Sequence, residues 1–542
     1  MAERRAVNGG RAGTDPRRAA RLAWGAAFAV ATFWAFPQVV AGRVVDLGLA
    51  ASWLAPACLL LAVRGLAPGP AARLGFLAGL AAHCAVLHWI YVVTVRYGNA
   101  PPVVGVIAPL ALASYIAAFT SAFAAGGSWL ARRGVTSPFV AAALWTALDH
   151  LRSFALTGFP WATLGYAQHQ SPLLLGLAAW TGVYGLSFAT ALGGAGLARL
   201  AERRALPAGL AALAGVVLLH ALGPLAAPDP IPAQPALRVA ILQGNIDQGV
   251  KWSPAFAERT LAGYEDLTRR AAAQGARVVV WPETAVPGSL SIHLDLAERV
   301  SALARETGAL LVVGSVGIEP QDPGAGKGMP VHYYDSAFVI DAQGRVLDRY
   351  DKTHLVPYGE YVPLRALLGA FLSTVASGMT SGDVSPGEAP RAIPLEPPGG
   401  GALSAGIPIC YELLFPDLVR RFVAGGAQVL FAITNDAWYG RTGAPYQFLA
   451  ITALRSAETG VWTARAANTG VSAFIDERGR VREQTPIFEA GLLVADVPLR
   501  SPEAGRTYYV RHGDVFAWSC WAAVVGAAVV ARRRASRAAG GS

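Results

Sequence analysis

The sequence predicts a multi-pass α-helical membrane protein of about eight spans that carries an extracytoplasmic α/β domain. Three observations predict it. Hydrophobic residues make up 54% of the 542 positions and charged residues only 15%, too apolar a mix for an ordinary soluble enzyme. Apolar runs of about 20 residues, enough to cross a bilayer, fill the chain up to Leu225 and recur once from Val515. Between them, from Leu237 to His512, strand-like and helix-like stretches alternate, the pattern of an α/β layered domain.

The chain opens on a basic tail, residues 1–21, with Arg4, Arg5, Arg11, Arg17, Arg18 and Arg21. A cleaved signal peptide also starts basic, but the apolar stretch Leu22–Ala41 is too long for one and several more follow. The expected spans are Leu22–Ala41, Val44–Val63, Leu74–Val95, Val103–Leu130, Pro138–Phe154, Leu173–Leu197, Leu206–Leu225 and Val515–Ala531. Asp149, His150 and Arg152 crowd the end of the fifth. Arginines set the orientation. With the N-terminus inside, inner segments hold the six tail arginines plus Arg64, Arg73, Arg132, Arg133, Arg199, Arg203, Arg204, Arg532, Arg533, Arg534 and Arg537, which is 17. Outer segments apart from the large domain hold three, Arg43, Arg96 and Arg152.

The expected organisation is therefore a cytoplasmic tail (1–21), a seven-span domain (22–225), a linker (226–236), an outer catalytic domain (237–512), a last transmembrane helix (513–531) and a second inner tail (532–542). The linker is marked by Ala-Pro-Asp-Pro-Ile-Pro-Ala-Gln-Pro over 227–235. The net charge of +10 is then largely membrane topology, and no nucleic-acid partner is expected. No zinc spacing, P-loop or dinucleotide fingerprint stands out.

Within 237–512, strands are expected at Leu237–Gln243, Arg277–Trp281, Ala309–Ser315, Ser336–Asp341, Arg345–Tyr350, Ala427–Ile433, Trp462–Ala467, Val471–Asp476 and Gly491–Val497. Helices are expected near Pro254–Gln274, His293–Thr307, Asp417–Ala424 and Tyr446–Thr459. The apolar run Ala402–Ile409, broken by Gly406 and Pro408, ends abruptly on Cys410. That order reads as strand, tight turn and helix with the thiol at the turn, where a helix N-terminus can lower its pKa toward the thiolate. A buried structural cysteine is the alternative for a lone thiol. Cys58, Cys84 and Cys520 fall in expected spans, so the outer domain has one cysteine and no disulfide of its own. Two further stretches favour chemistry. Val278-Val-Val-Trp-Pro-Glu283 delivers a glutamate at a strand end, and Tyr350-Asp-Lys352-Thr-His354 carries a lysine into a Pro/Gly loop. An acid, a lysine and a cysteine at three strand ends suit acyl transfer: Cys410 attacks a carbonyl, Glu283 shuttles the proton and Lys352 stabilises the oxyanion. A Cys410–His354 dyad is the competing arrangement.

Glu-Lys-Cys in this order, with the Trp281-Pro282-Glu283, Asp351-Lys352 and Cys410-Tyr411-Glu412 contexts, resembles the nitrilase (carbon–nitrogen hydrolase) superfamily over Leu237–Val497. That resemblance implies a four-layer α-β-β-α sandwich. Val239–Ile246 with Lys251-Trp252, His354–Glu360, Asn435–Gly440, Leu156–Trp161, Glu458–Gly460 and Arg465–Gly470 extend it. With these motifs the whole chain resembles the apolipoprotein N-acyltransferase family. The resemblance implies an acyl chain taken from a membrane phospholipid onto the cysteine, then passed to the α-amino group of the diacylglyceryl-cysteine of lipoproteins. It places the domain on the periplasmic side of a bacterial inner membrane.

It further implies that Glu360, Glu412 and Tyr411 support Lys352 and the oxyanion, with ordinary structural carboxylates as the alternative for the glutamates. Trp252, Trp438, Phe159, Pro160 and Trp161 are expected to bind substrate, although Trp252 and Tyr411 could equally fill core. No metal or cofactor is expected, and the chain is expected to be a monomer. Departures from the family pattern are Asp335 for Asn, Asp149 for Glu, and Tyr358 and Tyr439 for Phe.

The stretch Leu364–Gly401 mixes apolar residues with a Gly/Pro/Ser-rich tail and reads as a lid dipping into lipid, or as a disordered insertion. Two rival functions remain at this point. A membrane-tethered amidase or nitrilase shares the chemistry, but seven preceding spans are more than a tether needs. A transporter with an outer sensor domain would advertise its path with buried charge, and the spans carry little beyond Asp149 and His150.

Overall fold

Long apolar runs with few helix breakers make the first part of the chain helical, as seen in the computed structural model, which describes residues 16–202, 205–233, 236–321, 331–361 and 384–540. Arg4, Arg5, Arg11, Arg203, Arg204 and the 364–383 part of the expected lid lie outside the described residues. The helices are Pro16–Trp34, Gly48–Val63, Pro68–Val86, Pro102–Ala131, Pro138–Arg152, Val183–Leu200, Leu206–Ala226 and Val515–Gly540. Several start on or next to a proline, which fits the first helical turn because its missing N–H would be unpaired there anyway. Pro102–Ala131, Leu206–Ala226 and Val515–Arg537 are long and apolar enough to cross a membrane.

Three expected spans are interrupted or displaced by breaks in the backbone. The first helix runs Pro16–Trp34 instead of Leu22–Ala41. Pro37 cannot continue a helix, and the apolar residues after it form a hairpin, β1 (Gln38–Val40) and β2 (Arg43–Val45). The third ends as α-helix at Val86 and continues as a wider π-helical turn over Val92–Tyr97. The sixth begins only at Val183, because Gly182 at φ 63° breaks the chain direction after the short helix Ala178–Thr181. Hydropathy alone registers none of these breaks. Close packing uses small residues: a Cβ on Gly75 would lie 2.6 Å from the Ala124 side chain, so helices Pro68–Val86 and Pro102–Ala131 meet almost backbone to backbone.

The α/β domain that follows is built on two six-stranded sheets. Its strands are β3 (Ala236–Gln243), β4 (Val278–Val280), β5 (Leu310–Pro320), β6 (Val331–Ile340), β7 (Val346–Asp351), β8 (Ile393–Leu395), β9 (Leu403–Gly406), β10 (Val429–Thr434), β11 (Trp462–Ala467), β12 (Ala473–Ile475), β13 (Val481–Gln484) and β14 (Gly491–Pro498). One sheet has the order β14-β3-β4-β5-β6-β7 and the other β13-β12-β11-β10-β9-β8. Parallel pairs β3/β4/β5 and β9/β10/β11 form their centres. Alternation places Val239, Ile241 and Val280 in one core with Ala405, Phe431 and Ala464 of the second sheet. Ala240, Leu242 and Val279 point the other way, onto Leu261 and Tyr264 of helix Pro254–Ala273 and Leu303 of helix Leu294–Thr307. Ten expected strands, counting the run before Cys410, have counterparts in these sheets. β8 and β13 were not legible: β8 is three residues with a central proline, tolerable only at a sheet edge, and β13 is exposed along its length with no apolar alternation.

The two parts of the chain are joined by buried polar contacts. Trp161 Nε1 donates to Gln447 Oε1 at 2.7 Å, Tyr166 OH to the Leu414 carbonyl at 3.3 Å, and the Val183 N–H to Glu458 Oε1 at 2.8 Å. The charged end of helix Pro138–Arg152 faces inward. Arg152 donates to Asp149, Thr163 and the Trp161 carbonyl, so these charges fix the Gly158–Thr163 turn rather than facing lipid.

Candidate active site

Glu283, Lys352 and Cys410 each follow the C-terminal end of a strand: β4, β7 and β9. The first two belong to one sheet and the cysteine to the other, so the site lies between the sheets. β4 is three valines buried on both faces, and its extension is fixed by Trp281, stacked on Tyr264 with its Nε1 donating to Thr268. The chain then turns sharply through Thr284 at φ 46°. Gly314 of β5 makes room, since a Cβ there would fall 2.1 Å from the Pro282 carbonyl.

Lys352 is fully buried, and its Nζ lies 2.5 Å from Glu360 Oε1, 3.3 Å from Asp335 Oδ2 and 3.5 Å from Glu283 Oε1. Burial alone would lower its pKa, but the three carboxylates outweigh it and hold the ammonium well above the ordinary lysine range. Glu360 is held in turn by the Val356 N–H at 2.9 Å. Asp335 is pushed well above the usual carboxylate range, by burial first and by the neighbouring Glu283 second. Asparagine would fill nearly the same space, so the departure at this position changes charge more than shape.

Cys410 begins a short 3₁₀ turn, Cys410–Leu414, at φ 47°, a left-handed conformation that a non-glycine residue adopts only when its surroundings force it. Glu412 supplies the force. Fully buried, it accepts from the Ile409 N–H at 2.8 Å with one oxygen, and from Tyr350 OH and the Thr353 N–H, each at 2.7 Å, with the other. It therefore clamps the residues flanking Lys352 to the residue preceding Cys410. Its bonds are those of a brace between two loops, not of an oxyanion donor. The expected lowering of the thiol pKa is not found. Burial, then the Glu283 carboxylate, push Cys410 well above the ordinary thiol range, and Lys352 only partly offsets them. A 3₁₀ turn of five residues has too little dipole to compensate.

The other expected site residues divide in two. Tyr411 is buried and its OH donates to the Gly158 carbonyl at 3.0 Å, tying the cysteine turn to the membrane half. Phe159 stacks on Trp161 at 6.3 Å, and Trp161 also packs on Trp89, Tyr439 and Phe448. Pro160 is buried in the same turn. Trp252 is half exposed, with Lys251 over its ring, and Trp438 packs edge-on against Tyr97 of the membrane half. Neither tryptophan shares a hydrogen bond or ring contact with Glu283, Lys352 or Cys410. His354 lies against Phe415 and Tyr411 and bonds the Thr157 backbone, not Cys410.

Lys251 was missed as a site residue. It is buried, and its Nζ donates to the Glu283 carbonyl at 3.2 Å and to Thr284 Oγ1, holding the strained turn that presents the Glu283 carboxylate. Desolvation lowers its pKa to about 8, partly opposed by Glu283 and Asp335. The available signal was its place in the loop after β3, at the same sheet end as the triad.

Burial lowers the His354 pKa to about 4, so the folded state favours the neutral ring. The unfolded chain binds a proton near pH 6.5 while the folded chain resists. Stability from this group is therefore complete above about pH 6.5 and is lost as pH falls toward 4. His354→Gln should flatten the decline of Tm across that window; an unchanged decline would assign it to other groups.

The chain was compared with known proteins. Residues 238–507 match the carbon-nitrogen hydrolase family, and residues 28–196 match the apolipoprotein N-acyltransferase N-terminal domain. An apolipoprotein N-acyltransferase of Geobacter metallireducens is 41% identical over 499 residues, covering 89% of this chain and 90% of the relative. Those of Pseudomonas syringae pv. tomato and Azotobacter vinelandii are 36% and 35% identical, covering 81% and 90% of this chain and 84% and 92% of their own lengths.

Proposed function

This chain belongs to the apolipoprotein N-acyltransferase family, and from that premise we propose how its residues carry the reaction. The protein is an acyltransferase of lipoprotein maturation that moves a fatty acyl chain from a membrane phospholipid, through a cysteine thioester, to the α-amino group of an N-terminal diacylglyceryl-cysteine. Cys410 is the nucleophile. Because its thiol is held neutral, Glu283 removes the proton as sulfur attacks the donor ester carbonyl. The oxyanion forms against the Lys352 ammonium, which is already charged and fixed and so needs no reorganisation. Collapse expels the glycerol alkoxide, which takes the proton from Glu283. In the second half the acceptor amine attacks the thioester, Glu283 accepts the amine proton, and the sulfur leaves and is reprotonated.

The observation that carries this reading is the bond from Tyr411 to Gly158. It binds the nucleophile's own turn to a turn packed on the membrane half, where both lipid-anchored substrates can meet the site. Glu360 and Glu412 act as positioning residues for Lys352 and Cys410. Phe159, Pro160 and Trp161 form the wall facing the lipid, and Trp252 and Trp438 stand at the rim. The domain layering reads as α-β-β-α, with seven spans before it and one after it. The catalytic domain lies on the periplasmic side of the inner membrane, and the enzyme acts as a monomer.

The full chain, given phospholipid and a diacylglyceryl-cysteine peptide, should yield peptide heavier by one acyl group. The same peptide with a blocked α-amine should stay unmodified. Residues 237–512 made alone should not cleave small amides; turnover there would favour a tethered amidase. A reporter active only outside the cytoplasm should work when fused after Asp229 and fail after Arg537, and the reverse pattern would overturn the orientation.

A further inference from the structure

A cavity of about 700 Å³ opens where the C-terminal end of helix Leu206–Ala226 meets the N-terminal end of helix Val515–Gly540. Both helices are long and apolar enough to cross a membrane. Because both ends line one cavity, the cavity sits at one membrane face whatever the orientation of the chain. None of its lining residues belongs to the Cys410 site.

The lining is divided by polarity. Leu225, Val515 and Phe516 form an apolar floor, with Leu225 75% and Val515 47% exposed. Three guanidiniums, Arg500, Arg506 and Arg511, stand against the single lining carboxylate, Asp229. Arg500 donates to the backbone carbonyls of Gly460 and Asp229 and makes no direct ion pair with a carboxylate among the described residues, although Glu477 and Asp229 lie near enough to act on its charge. Arg506 and Arg511 are exposed and have no side-chain partner among the described residues. Trp180, 48% exposed, and Tyr508, 41% exposed, flank the opening, as aromatic rings do at the headgroup level of a bilayer.

We propose that this cavity binds an anionic phospholipid, its phosphate among Arg500, Arg506 and Arg511 and its acyl chains along Leu225, Val515 and Phe516. Charge selects the headgroup, since basic groups at a membrane surface attract anionic lipid, and planar guanidiniums match phosphate oxygens in pairs. The apolar floor separates a lipid from free phosphate, which would use the arginines and leave the floor wet. The lipid bridges the helix just before the α/β domain, the helix just after it and the Gly505–Tyr508 segment of the domain itself, a place to hold the domain at its working height.

The test uses the full chain reconstituted in phosphatidylcholine nanodiscs with a graded fraction of phosphatidylglycerol, reading lipid retained after detergent extraction by native mass spectrometry. Wild type should retain phosphatidylglycerol over phosphatidylcholine. Arg506→Gln/Arg511→Gln should reduce that retention about 10-fold or more, while acyl transfer in phosphatidylcholine alone persists and so certifies the fold. Val515→Asn with both arginines intact should also weaken retention. Equal retention of the two lipids, retention unchanged in the double variant, or displacement by millimolar inorganic phosphate would each overturn the proposal. Because retention is read without an acceptor peptide, its failure is distinct from a failure of the acyl-transfer reading.

Discussion

Incubated with phospholipid and no acceptor, the full chain should accumulate a thioester on Cys410, seen as the mass of one fatty acyl group removed by neutral hydroxylamine. The expectation follows from where the thiol is. It is held neutral by burial and by Glu283, so it becomes a nucleophile only when a carbonyl is in place to drive proton transfer, and the acylated site offers water little foothold. A diacylglyceryl-cysteine peptide with a free α-amine should discharge the thioester, because amine attack is the step that Glu283 is placed to assist. A blocked amine should leave it intact. Cys410→Ala should show neither thioester nor transfer. Spontaneous release as free fatty acid, at a rate the peptide does not change, would overturn the assignment and make the enzyme a hydrolase.

Much of the candidate site was legible because Glu283, Lys352 and Cys410 each end a strand with a strong local signature. Three valines before Trp281-Pro282-Glu283, and an apolar run stopped at Cys410, are readable without neighbours. Charge that depends on neighbours was not. The lowered thiol pKa expected from local position failed, since the dominant influences, burial and Glu283, come from the whole fold and from the other sheet. Lys251 escaped for the same reason, since it acts through a backbone carbonyl 32 residues away, and Glu412 was expected as a supporting residue but its bonds to Tyr350 and Thr353 span separations no periodicity encodes. The membrane half shows the converse. Its apolar runs were evident, but the breaks at Pro37, Leu87–Trp89 and Gly182 shift helix bounds by several residues, because hydropathy reports burial in lipid or protein and not backbone direction.

Lys352→Met should cost more than the roughly 10²–10³ in rate typical of losing one neutral oxyanion donor, because the lost group carries a full charge in a site that excludes water. It should also destabilise the fold. The ammonium is buried among Glu283, Asp335 and Glu360, all within 3.5 Å of its Nζ, and removing one member of a buried ionic group typically costs about 3–5 kcal/mol. The two effects are separable through Asp335. Adding Asp335→Asn to Lys352→Met removes one of the three unbalanced carboxyls, so it should recover part of the lost Tm. It should recover none of the activity, since no cation returns to the oxyanion. Asp335→Asn alone should stay active, because Glu283 and Glu360 still hold the Lys352 ammonium in place. Lys352→Arg should hold the fold better than Met yet transfer poorly, its planar guanidinium being unable to keep a point charge within reach of three carboxylates and the reacting carbonyl. Recovery of transfer in the double variant, or near-normal activity in Lys352→Met, would remove Lys352 from the chemistry and leave it a structural counter-ion.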